Sequence, residues 1–138
     1  MLDTLKHWLA ELRQTIWVWS FRTFYRLTGA WSWRGQNSNL VFSDIRIPTK
    51  TGSIGARLYS GQQGAEKPLI VYIHGGGWVI GDLETHHHFC IALSDASNCT
   101  VVALDYRLAP EHPFPASQDD CLAAVEWLAE HARNVVLC

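Results

Sequence analysis

The chain has 138 residues, which bounds it to one domain or part of one. Apolar residues make up 48% and charged residues 17%, a globular composition and not a disordered one. Eleven Lys and Arg against thirteen Asp and Glu give a net charge of −2, so no basic excess exists to neutralise a nucleic-acid backbone.

Residues 2–28 read as a helix, because Leu5, Leu9, Leu12, Ile16 and Trp19 recur at helical spacing on one stripe. Asp3, Lys6, Glu11 and Arg13 interrupt this stretch, unlike the apolar core of a secretory signal. Beyond Ile16 the helix turns apolar all round, yet Arg22 and Arg26 argue against a membrane span. Gly29 is the expected stop, and residues 31–39 read as a loop. Leu40–Pro48 and Ile54–Ser60 flank the turn residues Thr51-Gly52-Ser53, which predicts a hairpin. A polar loop, 61–67, follows.

Leu69–Ile73 and Thr100–Asp105 are continuous apolar runs, the pattern of strands buried on both faces. Between them Thr85–Ser97 reads as a helix with Phe89, Ala92 and Leu93 on one side. After them Ala116–His131 reads as a helix grouping Leu122, Val125, Leu128 and Ala129. Strand, helix, strand, helix predicts a mainly parallel α/β sheet with flanking helices. Val135–Leu137 has the composition to begin another strand.

His74-Gly75-Gly76-Gly77-Trp78 follows the first of these apolar strands directly. Three glycines at the C-terminal end of a parallel strand allow a sharp turn and leave backbone N–H groups uncovered. Such groups can converge on one anionic oxygen, as acyl transfer requires. Taken alone, the motif reads equally as a glycine turn with no ligand. A phosphate loop needs G-x-x-x-x-G-K-[ST] or G-x-G-x-x-G, and neither pattern occurs.

The next strand ends in Asp105-Tyr106-Arg107-Leu108-Ala109-Pro110-Glu111-His112-Pro113-Phe114-Pro115-Ala116. Together with HGGGWVIGDLETH upstream, this resembles the hormone-sensitive-lipase-like esterase and lipase branch of the α/β-hydrolase family, over about residues 41–132. The resemblance implies a serine carboxylic ester hydrolase acting on a small-molecule ester, with no metal and no cofactor. The N–H groups of Gly75, Gly76 and Gly77 would form the oxyanion hole, chiefly those of Gly76 and Gly77. His74 would brace the loop, and Trp78 would pack beside the acyl site. Asp105, Tyr106 and Arg107 would give structural support, with Asp105 and Arg107 as an internal ion pair. Pro110, Pro113 and Pro115 would stiffen the loop, with one X-Pro bond cis. Residues 1–36 would be an N-terminal helical cap segment, and 37–138 the N-terminal half of the catalytic domain.

The family's nucleophile elbow is G-x-S-x-G, and no serine of this chain stands in that pattern. The reading is therefore an oxyanion loop without its Ser/Asp/His triad, inactive by itself, with the C-terminal half of the domain as its missing partner. The third strand of such a sheet lies between the fourth and fifth. Leu69–Ile73 is then expected to have an unpaired edge, and Leu122, Val125 and Leu128 to lie exposed.

Two rival readings stay open. One is a non-catalytic product that only binds or associates. The other is a membrane-surface protein using residues 1–33, where five of the seven tryptophans stand near Arg22 and Arg26. His86, His87 and His88 are adjacent and do not converge on one metal if helical, so they read as a helix start. Asp119 and Asp120 read as complementing a helix dipole. The four cysteines show no C-x-x-C spacing, and Cys90 and Cys121 read as buried or half-buried free thiols of a reducing, cytoplasmic compartment.

Overall fold

The computed structural model describes residues 2–32, 41–60, 68–132 and 134–138. Its elements are α1 (Leu2–Ser32), β1 (Val41–Thr49), β2 (Gly52–Ser60), β3 (Leu69–Tyr72), α2 (His87–Ser97), β4 (Thr100–Asp105), α3 (Ala116–His131) and β5 (Val135–Leu137). The five strands form one sheet in the order β1-β2-β4-β3-β5. β1 and β2 are the expected hairpin, and β2 also runs antiparallel to β4. β3 pairs parallel with β4 on one side and with β5 on the other. The sheet is thus mixed, parallel in the half that carries the glycine loop. Pro48 lies within β1, which is tolerated because β1 is an edge strand.

Alternation along β4 explains its wholly apolar sequence. Val102 and Leu104 face a core with Ile47, Ile54, Ala56, Val71, Tyr106, Ala124 and Leu128. Val101 and Ala103 face a second core with Tyr59, Cys90 and Ile91. α3 covers the first face and α2 the second, so β4 is buried on both sides. Burial pushes the Cys90 thiol up to about 12 and the Cys121 thiol up to about 11, and all four cysteines are free.

Several expectations are corrected here. The edge of β3 is not bare: β5 pairs Val135, Val136 and Leu137 with Leu69, Ile70 and Val71. Three residues suffice to satisfy that ladder, and Cys138 extends it with bonds to Val71 and Ile73. α3 presents Ala124 and Leu128 to the core, whereas Leu122 and Ala129 are exposed. α2 buries Cys90, Ile91 and Ser94, whereas Phe89 is exposed. α1 continues through Gly29 to Ser32. The expected loops at 33–39 and 61–67, with Trp33, lie outside the described residues.

The largest difference concerns α1. The stripe of Leu5, Leu9, Leu12, Ile16 and Trp19 is exposed. The helix meets the body through Val18, Arg22 and Tyr25, the only α1 residues not exposed among those whose side chains are described. At 100° per residue, that contact face lies roughly 130° around the helix from the apolar stripe. Among the described residues, no helix is long and apolar enough to cross a membrane.

Candidate active site

β3 ends at Tyr72, and the chain turns through His74–Gly81 before the Asp82–Thr85 turn leads into α2. Backbone geometry explains the glycines. Gly76 sits at φ 127, and a Cβ there would run into the Ile80 carbonyl. Gly77 follows at φ 61. Gly81, which the sequence reading did not single out, sits at φ 100, where a Cβ would run into the His74 ring. Trp78 also holds a left-handed backbone, φ 59, which is uncommon for a bulky side chain. Its indole is 54% exposed.

The carbonyls of Gly75, Gly76 and Trp78 are tied down. Gly76 O accepts from the N–H groups of Val79 and Ile80, both at 3.1 Å. Trp78 O accepts from Ala109 N at 2.8 Å. His74 Nδ1 lies 2.9 Å from Gly75 O, an acceptor only, so this nitrogen carries the proton. By contrast, the N–H groups of Gly75, Gly76 and Gly77 have no acceptor among the described residues. Each peptide unit is planar, so holding the Gly75 carbonyl orients the Gly76 N–H, and holding the Gly76 carbonyl orients the Gly77 N–H. The turn therefore presents oriented, unused donors at the C-terminal end of a parallel strand, where open α/β sheets bind ligands.

His74 is buried and stacked. Its ring lies 4.3 Å from that of Tyr106 and 5.2 Å from that of His86. Tyr106 Oη donates to the His74 carbonyl at 2.6 Å. Burial lowers the His74 pKa, against the opposing effect of the Gly75 hydrogen bond, and raises the Tyr106 phenol to about 12. His74 Nε2 is buried with no hydrogen-bond partner among the described residues.

The expected Asp105–Arg107 ion pair is not formed. Arg107 pairs with Asp120, with Nε and Nη2 each 2.8 Å from one carboxylate oxygen and the backbone N–H at 3.1 Å. Asp120 is 1% exposed and lies on the body-facing side of α3, so it holds the strand end to the helix. Asp119 alone is the acidic residue of the first helical turn. Asp105 instead lines a cavity of about 210 Å³ with Trp19, Arg22, Tyr25, Arg26, Gly81 and Asp82. Although it reaches solvent there, crowding by protein atoms, and then Asp82, raises its carboxyl above the usual range. Two X-Pro bonds are cis, Ala109–Pro110 and Phe114–Pro115, where one was expected.

The three histidines diverge. His86 stacks on His74, and His87 accepts or donates at 3.0 Å to Tyr59 Oη. His87 also packs edge-on against Phe42 and His88. Nearby Arg57 binds Asp44 and Glu84, tying the hairpin to the segment before α2.

A sequence profile of the alpha/beta hydrolase fold matches residues 70–137, the stretch that contains the glycine loop and both parallel partners of β3. The chain belongs to the α/β-hydrolase family. Its relatives place it in the hormone-sensitive-lipase-like branch. It is 46% identical over 95 residues to the esterase LipI of Mycobacterium tuberculosis, covering 67% of this chain and 30% of that protein. It is 44% identical over 100 residues to the carboxylic ester hydrolase LipN of the same organism, covering 72% and 27%. Among solved structures, an esterase of Pyrobaculum calidifontis superposes with a TM-score of 0.80 at 36% identity, over 87% of this chain and 42% of that one. This α/β-hydrolase chain thus spans less than half the length of these relatives.

Proposed function

We propose that the chain serves a serine carboxylic ester hydrolase, for which it supplies the oxyanion hole. The observation that carries this reading is the glycine turn after β3, in which the carbonyls of Gly75 and Gly76 are bonded while the N–H groups of Gly75, Gly76 and Gly77 are free among the described residues. Gly76 and Gly77 N–H would take the charge that develops on the carbonyl oxygen of a small or medium acyl ester. His74, held neutral by burial, braces the turn through Gly75 and is not a base. Trp78 borders the acyl site. Tyr106 and Arg107 brace the loop that follows β4, through His74 and Asp120. Residues 1–36 act as a cap segment and 37–138 as the first half of the catalytic domain. No serine of the 138 residues lies in G-x-S-x-G, so the nucleophile, acid and base come from outside them. No metal or organic cofactor takes part.

The reading of α1 as a membrane-surface anchor loses its cationic support. Arg22 and Arg26 point to Glu111 and Asp82 of the same chain.

The test is a chimera in which this chain replaces the matching segment of the Pyrobaculum calidifontis esterase. It should hydrolyse p-nitrophenyl butyrate. Gly76→Val in a chimera with unchanged near-UV circular dichroism should lose turnover number far more than it changes KM, by about 2.7–4 kcal/mol of barrier. A rise in KM at constant turnover number would sink the oxyanion role. The chain by itself should give no hydrolysis above background. Phosphonate-sensitive turnover by the 138 residues would put the nucleophile inside them.

A further inference from the structure

We propose that Arg22 of α1 is a positioning residue for the oxyanion donors, so that the docking of the N-terminal helix sets the direction of the Gly77 N–H. This rests on the ester-hydrolase reading above.

The guanidinium is mostly shielded, with its side chain 18% exposed, and it reaches across to both loops of the site. Nε donates to Val79 O at 2.7 Å, and Nη2 donates to Ala109 O at 2.7 Å. Nη1 and Nη2 bind the two carboxylate oxygens of Glu111 at 2.8 and 2.9 Å. The Arg22 guanidinium in turn holds the Glu111 carboxyl below the usual range. Glu111 neutralises the charge, so what Arg22 contributes to the loop is geometry.

That geometry passes through planar peptide units. Arg22 holds the Val79 carbonyl, and so orients the Val79–Ile80 peptide. The N–H of that peptide, on Ile80, donates to Gly76 O. Ala109 N holds the Trp78 carbonyl, and so orients the Trp78–Val79 peptide, whose N–H on Val79 is the second donor to Gly76 O. Ala109 is itself bound to Arg22 through its carbonyl, which closes a ring of Arg22, Val79, Trp78 and Ala109. The Ile80 bond to the Gly76 carbonyl thus leads to the guanidinium through one peptide plane, and the Val79 bond leads to it through Ala109, a residue whose own carbonyl the same guanidinium holds. Lysine cannot reproduce this, because a single ammonium does not present a planar fork to two carbonyls and a carboxylate.

The experiment uses the 15N-labelled 138-residue chain and methylphosphonate, a tetrahedral anion, as probe. In the wild type, titration should move the amide proton signals of Gly76 and Gly77 to saturation. Arg22→Gln and Arg22→Lys should each bind about tenfold more weakly, the equivalent of a hydrogen bond to a charged group, with β2 and β4 signals unchanged. Should Arg22→Gln lose the dispersed β-sheet spectrum, Arg22→Lys decides. It keeps the charge, so a purely electrostatic or stapling role predicts wild-type affinity, and that result overturns the proposal. Unchanged affinity in a folded Arg22→Gln overturns it too. A wild type with no glycine response to methylphosphonate overturns the oxyanion reading beneath it, a separate outcome from the failure of Arg22 alone.

Discussion

Helix α1 and strand β4 are both rich in large apolar side chains, and they reach opposite environments. Val101, Val102, Ala103 and Leu104 of β4 are all buried. On α1, Leu5, Trp8, Leu9, Leu12, Ile16 and Trp17 are exposed, and Val18 is the one buried hydrophobe among the described residues. β4 has partners on every side: β2 and β3 in the ladder, α2 and α3 on the faces. α1 is held chiefly by polar groups, Arg22 on Glu111 and Arg26 on Asp82 at 2.8 Å. Apolar content alone does not bury a segment. Burial follows from how many neighbouring elements reach it, and an isolated helix has few.

The contrast can be broken or sharpened by measurement. Leu104→Ala, at a fully buried site, should cost about 2–5 kcal/mol in urea unfolding, the range for leucine truncation in a packed core. A loss below about 1 kcal/mol would mean that β4 is not the centre of the core. Asp120→Asn should lower the thermal midpoint clearly but by less, because the neutral amide still occupies the site while Arg107 loses its charged partner. An unchanged midpoint would make that ion pair ornamental.

Acidification should also act on the body of the domain. His74 and His87 are both held below the usual histidine pKa, chiefly by burial. The unfolded chain takes up protons near pH 6.5 that the folded chain refuses, so stability is greatest above that value and falls with pH. Urea midpoints should therefore drop from about pH 7.5 to about pH 5.5. A midpoint that rises over this interval would contradict the buried placement of both rings.

At the sheet edge, Val136 and Leu137 of β5 are exposed. Val136→Lys should increase the monomer fraction in size-exclusion chromatography with light scattering, because a charge on an edge strand opposes edge-to-edge pairing. An unchanged or lower monomer fraction would contradict edge-to-edge pairing through β5. The smallest effect belongs to Leu9→Ala, which should alter stability by no more than about 0.5 kcal/mol, as for an exposed site. A loss comparable to that of Leu104→Ala would show that the α1 stripe is covered in solution.

Much of this protein was legible in its sequence because the deciding interactions are local. Apolar β-branched runs mark β3 and β4, and Thr51-Gly52-Ser53 marks the hairpin turn. Three consecutive glycines after a strand mark the candidate site, and Gly76 among them needs φ 127 with the Ile80 carbonyl against its Cα. Gly81 carried the same kind of signal within HGGGWVIGDLETH, but its need arises from the His74 ring folding back on it.

Tertiary structure alone decided which partners the charges take and which face of each helix is buried. Asp105 stands two residues from Arg107, on the same side of an extended chain, yet the approach of α3 hands that arginine to Asp120. Arg22 finds Glu111 across 89 positions. The apolar stripe of α1 satisfied every rule of helical periodicity and still faces away from the body. Periodicity records the spacing of residues along one element, whereas ion pairing and burial depend on which other element arrives within a few ångströms, and no local pattern encodes that arrival.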